Sequence, residues 1–236
     1  MVLIALKSNR PTPPTGSSTL YRARKLVHRQ AGLAGLMIVL MVVVLPSGMS
    51  RTAWLAAIIA SCYVWGMHYR GRLYRYRKFF WIGGLLLIVS SICAYHWKKD
   101  SADGRLLMWK VSVQAVMEHP WLGVGWEHVA GAYGDAQERY FASGLATEQE
   151  EYVAGAPADV FNEYLQVAMA WGVPALCGIC VLVLVAFCLG HGSRQYGVCG
   201  ALLSLAVFAL ASYPFQFLVF RLAFVALLVA CAMGCR

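Results

Sequence analysis

The stretch Lys98–Glu163, KKDSADGRLLMWKVSVQAVMEHPWLGVGWEHVAGAYGDAQERYFASGLATEQEEYVAGAPADVFNE, decides how this chain is read, because all eleven Asp and Glu residues of the 236-residue sequence lie inside it. The same stretch has five cations, Lys98, Lys99, Arg105, Lys110 and Arg139, so it is net negative by six in a protein whose formal charge is +9. On either side the sequence is apolar or basic. A membrane protein with one large loop facing away from the cytoplasm distributes its charge in this way.

Working outward, the 60% hydrophobic content is bunched into uncharged runs rather than spread at amphipathic spacing. A spanning helix needs roughly 20 mainly apolar residues, with about 17 as the lower range. Six runs come near that length: Ala31–Pro46, Thr52–Tyr69, Phe79–Trp97, Tyr164–Gly190, Tyr196–Tyr213 and Phe215–Cys235. The first, at sixteen residues, is the shortest. Short-loop cations set the orientation. Lys7–Arg29 has six, Arg70–Lys78 has five, Arg194 follows the fourth run and Arg236 ends the chain. With these inside, six helices alternate consistently and both termini are cytoplasmic. The expected fold is all-α and polytopic: a basic, Pro-rich segment over 1–30, three spans over 31–97, the acidic loop over 98–163 and three spans over 164–236.

Several features have plain readings. Met1–Leu6 is too short for a signal-peptide core and resembles the tail of a missing helix. The Arg22–Arg29 patch adjoins a span, so it reads as a topology anchor on anionic lipid rather than a nucleic-acid site. Cys62, Cys93, Cys177, Cys180, Cys188, Cys199, Cys231 and Cys235 all fall in the expected spans. Cys177 and Cys180 have redox or metal spacing but no His or acid beside them, and read as packing.

Other residues have chemical potential. Arg51 is the only charge between Arg29 and Arg70; at the outer surface it serves either as a snorkelling helix cap or as a phosphate contact. Asp100, Ser101 and Asp103 are possible caps for a helix over Arg105–His119. Leu106, Trp109, Val113, Val116 and Met117 would form its apolar side, with Arg105 and Trp109 one turn apart. Pro120 ends that helix, and Trp121–Trp126 is a Gly-punctuated turn whose lone Gly-x-Gly lacks the strand and helix of a nucleotide fold. Tyr133, Tyr140, Phe141 and Tyr152, among Asp135, Glu138, Glu148, Glu150 and Glu151, fit either a sugar-stacking surface or an interfacial aromatic belt. Asp159, just after Pro157, is placed to cap the fourth helix, which Gly172 and Pro174 should kink. Arg221 lies six residues into the last span, roughly 9 Å of helical rise, with no acid in any span to pair with it.

Three patches, taken in order, resemble the O-antigen ligase and polymerase family: Ser50-Arg51 opening a helix; Gly104-Arg105-Leu-Leu-Met-Trp109 running into Glu118-His-Pro120-Trp-Leu-Gly123-Val-Gly125; and Asn162-Glu-Tyr-Leu165 followed by Trp171-Gly172. The resemblance covers about Leu33–Leu189. It implies a multi-pass glycosyltransferase of the bacterial inner membrane with a large periplasmic loop. Such a protein moves a glycan from an undecaprenyl-pyrophosphate carrier to lipid A-core or a growing polymer, and uses no nucleotide sugar, metal or other cofactor. By the same resemblance Arg51 and Arg105 match arginines that hold the pyrophosphate. Trp109 and Arg221 are taken with them as substrate contacts, and Asn162 and Glu163 as the catalytic pair.

The pattern departs from the family at two places. Phe161 stands where relatives often have a His proposed to activate the acceptor hydroxyl, and phenylalanine takes no proton. Glu163, on the same helical turn, is then the first choice of base, with Asp159, His119 and His128 as the others. The chain also matches only the C-terminal half of the usual span count, so the resemblance implies an N-terminal half supplied elsewhere or lost. Two other functions compete: a catalytically silent membrane partner, and a transporter of lipid-linked glycan. The transporter is disfavoured because proton-coupled carriers place ionisable groups within their spans, and here no Asp or Glu lies in any span and Arg221 is the only Lys or Arg.

Overall fold

In an apolar solvent a backbone must satisfy its own polar groups, so long apolar runs become helices. The computed structural model describes residues 50–69, 99–155 and 160–234. Four of the expected runs are helical there: α1 (Arg51–His68), α5 (Glu163–Gly192), α6 (Tyr196–Ala209) and α7 (Leu218–Met233). The expected spans Ala31–Pro46 and Phe79–Trp97 lie outside the described residues. Between α1 and α5 stand α2 (Lys99–Glu118), α3 (Val129–Ala142) and α4 (Glu148–Val153). Met1–Ser50 and Arg51–Arg236 form separate units, and all seven of these helices belong to the second. The described residues contain no strand, in keeping with the all-α expectation. Among them α5 alone, with 30 residues, is long and apolar enough to cross a membrane; Thr52–His68, α6 and α7 are shorter apolar helices.

The acidic stretch folds on a core of its own. Leu107, Val111, Ala115 and Val116 of α2 are buried against Val129, Tyr133, Ala136 and Tyr140 of α3, Val160, and Ala168–Ala170 of α5. Val116 is buried and Trp109 packs against this core as expected, but the rest of the expected apolar side of α2 is corrected. Leu106, Val113 and Met117 are exposed, and the buried stripe is turned by one residue. That stripe carries the small residues Ser112 and Ala115, which let neighbouring helices approach, and the Ser112 hydroxyl satisfies itself by donating to the Met108 carbonyl at 2.7 Å. The helix also starts earlier than expected, at Lys99, so Asp100, Ser101 and Asp103 lie within it rather than before it.

Polar clasps close this core. Arg139 Nη2 donates to both carboxylate oxygens of Glu118, at 2.7 and 2.6 Å, tying α3 to the end of α2. Lys110 donates to the Tyr140 hydroxyl and, at 2.9 Å, to Glu150 Oε1, while Tyr140 donates to Glu150 Oε2 at 2.9 Å. Thr147 and Glu150 form a reciprocal capping box that starts α4. Tyr133 and Tyr140 are therefore core residues and Phe141 is half-buried; of the four aromatics considered for sugar stacking, Tyr152 alone is exposed.

A second cluster joins the apolar helices. Ala186 of α5, Cys199 and Leu202 of α6, and Cys231 of α7 are buried together, with Tyr63 of α1 packed against them. Tyr63 Oη and His191 Nδ1 share a hydrogen bond of 2.8 Å. The six described cysteines are free thiols, with Cys199 and Cys231 buried.

Candidate functional site

The chain between α6 and α7 is too rich in Ser, Pro and aromatics to continue either helix, and Pro214 starts a 3-10 turn over Pro214–Gln216. Its exposed backbone groups become partners for the other elements. From α1, Thr52 Oγ1 donates to the Ala211 carbonyl at 3.5 Å, and from α2 Arg105 Nη1 donates to the same oxygen at 3.2 Å. From α5, Glu163 Oε1 accepts the Phe215 amide at 2.6 Å. The start of α1, the Arg105 side chain and the start of α5 thus meet at one turn.

Phe161 completes the arrangement. The Arg105 guanidinium carbon lies 5.4 Å from its ring centroid, a cation–π distance. The same ring meets Tyr213 edge-on at 4.8 Å. Phe161 has φ 51, a left-handed conformation that is uncommon for an aromatic residue. Asn162 then caps α5: its Oδ1 accepts the amides of Tyr164 at 3.0 Å and Leu165 at 3.2 Å. The cap expected at Asp159 is thus found at Asn162, and Asp159 lies outside the described residues.

A second junction links the two longest motif patches. Gly172 (φ 82, ψ 170) breaks α5 just before Pro174, as expected, and the break frees backbone groups on both sides. Val124 and Gly125 donate to the carbonyls of Met169 and Ala170 at 2.8 and 2.9 Å, and Val173 donates to Pro120 at 2.7 Å. The approach is so close that a Cβ on Gly123 would lie 2.5 Å from the Ala170 carbonyl carbon, and one on Gly172 2.3 Å from the Trp121 oxygen. The Gly-x-Gly element docks a loop onto a broken helix.

The expected site residues are distributed as follows. Arg51 is the first residue of α1, next to Thr52 at the turn. Arg105 and Glu163 are at the turn itself. Trp109, one turn along α2, is half-buried against the core of the acidic stretch, and its Nε1 is buried without a hydrogen-bond partner among the described residues. His119 and His128 are exposed, and His119 follows the other end of α2, about 20 Å of helix from Arg105. Arg221 is exposed in the first turn of α7, because that helix starts at Leu218 rather than Phe215. The depth expected for its charge shrinks to about 5 Å, and its backbone amide donates to the Phe217 carbonyl at 3.3 Å. The sequence reading missed Thr52, Ala211, Tyr213 and Phe215; the Ser-Tyr-Pro-Phe break between two apolar runs was the available signal.

Arg105 carries a full charge, and a helix N-terminus such as that of α1 adds about half a positive charge. Their convergence beside an aromatic floor suits an anion with an apolar attachment.

The fold and this turn define a class: an all-helical protein of membrane character whose polar helical insert is docked against its apolar helices. Residues 36–180 match the family model described as O-Antigen ligase, and the chain belongs to that family. The family is one of membrane proteins, with ligase- or polymerase-type function in polysaccharide biosynthesis. No curated protein and no solved structure matches the chain.

Proposed function

We propose that the turn between α6 and α7 is where a glycan passes from an undecaprenyl-pyrophosphate carrier to a sugar hydroxyl, on lipid A-core or a growing polymer, at the periplasmic face of the bacterial inner membrane. The observation that carries this reading is the Ala211 carbonyl, which accepts from both Thr52 and Arg105 and so brings the Arg51 helix start and Arg105 to one point.

The reaction asks little of the protein beyond electrostatics. The acceptor oxygen attacks the anomeric carbon, the bond from that carbon to the diphosphate oxygen breaks, and the electron pair leaves with the diphosphate. The acceptor proton passes to a base. Charge grows on the diphosphate as the bond breaks, and the guanidinium of Arg105, with that of Arg51, would stabilise it. Arg105 is held by a carbonyl and an aromatic face, so little reorganisation is needed. Glu163 is the carboxylate of this turn and our candidate for receiving the proton. The sugar arrives already activated as a diphosphate ester, so the reading calls for no cofactor.

The test is transfer of labelled glycan from its carrier in proteoliposomes. Arg105→Ala is expected to lower turnover by about 100-fold or more, with unchanged membrane insertion. Wild-type turnover by that variant would overturn the assignment.

A further inference from the structure

We infer that residues 117–122, the end of α2 and the loop after it, are a membrane anchor that inserts into the lipid headgroup region beside α5. Met117, Trp121 and Leu122 are 73%, 76% and 86% exposed, which is unusual for three large apolar side chains within six residues of one another. Trp171, adjoining the break in α5, is also exposed. Water is a poor solvent for large apolar side chains exposed so close together in the chain, and such exposure marks an interaction surface.

The occupant follows from where the loop is fixed. Beyond Gly172, α5 continues from Val173 to Gly192, and those twenty residues rise about 30 Å, the thickness of a hydrocarbon core. Val181, Leu182, Leu184 and Val185 on this segment are exposed, as side chains facing lipid would be. If that segment fills the bilayer, Gly172 lies at its boundary. The three backbone hydrogen bonds to Met169, Ala170 and Val173 then hold the loop at the same level. The two glycines with no room for a Cβ leave it little freedom to move away. The charges nearest the cluster suit this depth: Glu118 is already paired with Arg139, and the exposed His119 and Glu127 face a polar headgroup layer. Tryptophan is enriched at that layer because its ring is apolar and its N–H needs a polar partner.

The consequence reaches the candidate site. The α2 rod runs from the loop back to Arg105, about 20 Å away along the helix. Anchoring one end in lipid sets the height of the other above the bilayer. This inference rests on α5 crossing the membrane and not on the transfer reaction.

The experiment is site-directed spin labelling of the full chain in phosphatidylcholine–phosphatidylglycerol nanodiscs, with buried Cys199 and Cys231 retained and the other six cysteines of the sequence replaced. Labels are placed singly at Leu122→Cys, at Val181→Cys within the span, and at Tyr152→Cys, which is 76% exposed on α4. Collision with oxygen, which partitions into lipid, is compared with collision with a water-soluble nickel chelate. At position 122 the ratio is expected to favour oxygen, between the values at 181 and 152. A label at 122 as accessible to nickel as that at 152, with 181 in lipid, would overturn the anchor alone. Strong dipolar broadening between labels at 122 would assign the patch to a second copy of the chain, and would overturn it too. Nickel access at 181 would remove the spanning assignment on which the inference stands.

Discussion

Thr52 and Arg105, 53 positions apart in the sequence, donate to a single oxygen, the carbonyl of Ala211, at 3.5 and 3.2 Å. That shared acceptor brings two arginine-bearing motifs to one turn, although two expected spans separate them in the chain. The bonds that join them end on a backbone carbonyl, which leaves no side-chain signature, so spacing alone did not show where they meet.

The aromatic floor under Arg105 should be measurable. Phe161→Leu removes the cation–π contact and the edge contact with Tyr213, together worth about 1–2 kcal/mol. A rise of roughly tenfold in KM for the lipid-linked donor is expected, read in the proteoliposome assay. Phe161→His should behave differently. Histidine tolerates the left-handed backbone better than most residues and adds a proton acceptor, so turnover is expected to rise, with a new pH dependence near neutrality.

Substitution separates what Glu163 does in the structure, holding the Phe215 amide, from its proposed role as proton acceptor. Glu163→Gln keeps an oxygen for the Phe215 amide but loses basicity, whereas Glu163→Ala leaves that amide without its acceptor. If Glu163 accepts the proton, Glu163→Gln lowers kcat by about 100-fold or more while the melting temperature stays near wild type. If its work is confined to holding the turn, Glu163→Gln keeps most activity and Glu163→Ala loses both stability and turnover.

Gly123 and Gly172 were visible in the sequence as a turn and a kink, and both expectations hold. That the turn docks on the kink was not legible, because the bonds are between backbone groups and leave no side-chain signature. Gly123→Ala or Gly172→Ala should each destabilise the detergent-solubilised protein by about 2 kcal/mol or more, since each forces apart backbones that share hydrogen bonds. The double variant should cost less than the sum, because both lesions break one junction. Additive melting shifts would show two independent sites.

Glu150 supplies a pH test on the acidic stretch. The Thr147 backbone amide, and then the Lys110 ammonium, hold its carboxyl down from the ordinary 4.5 to about 2. A folded-state value below the unfolded one contributes stability that is complete above about 4.5 and lost as pH falls toward 2. Amide exchange in α4 should therefore accelerate as pH drops through that window, relative to the intrinsic rate. Glu150→Gln should flatten the dependence.

How far the sequence could be read depended on what each residue answers to. Long apolar runs and the Gly-Pro break answer to backbone and solvent, so α1, α5, α6 and α7 were found within a few residues of their ends. The face of α2 answers to its neighbours. Two apolar stripes compete on that helix, and only contact with Tyr133, Tyr140 and Ala168–Ala170 selects Leu107 and Val111 over Leu106 and Val113. Asn162 took the cap expected of Asp159 because its side chain reaches two amides of α5 at once. Arg221, notable in sequence for its depth, lost that depth once the 3-10 turn took up the residues before Leu218.

The most direct test of the central claim is a double-mutant cycle on Arg51 and Arg105, reading the affinity of the detergent-solubilised protein for undecaprenyl diphosphate. Two guanidinium groups that grip one diphosphate are coupled, so Arg51→Ala and Arg105→Ala should each weaken binding by about tenfold or more, and the double variant by clearly less than the product. Independent, multiplicative losses, or no loss from either variant, would contradict a shared diphosphate site.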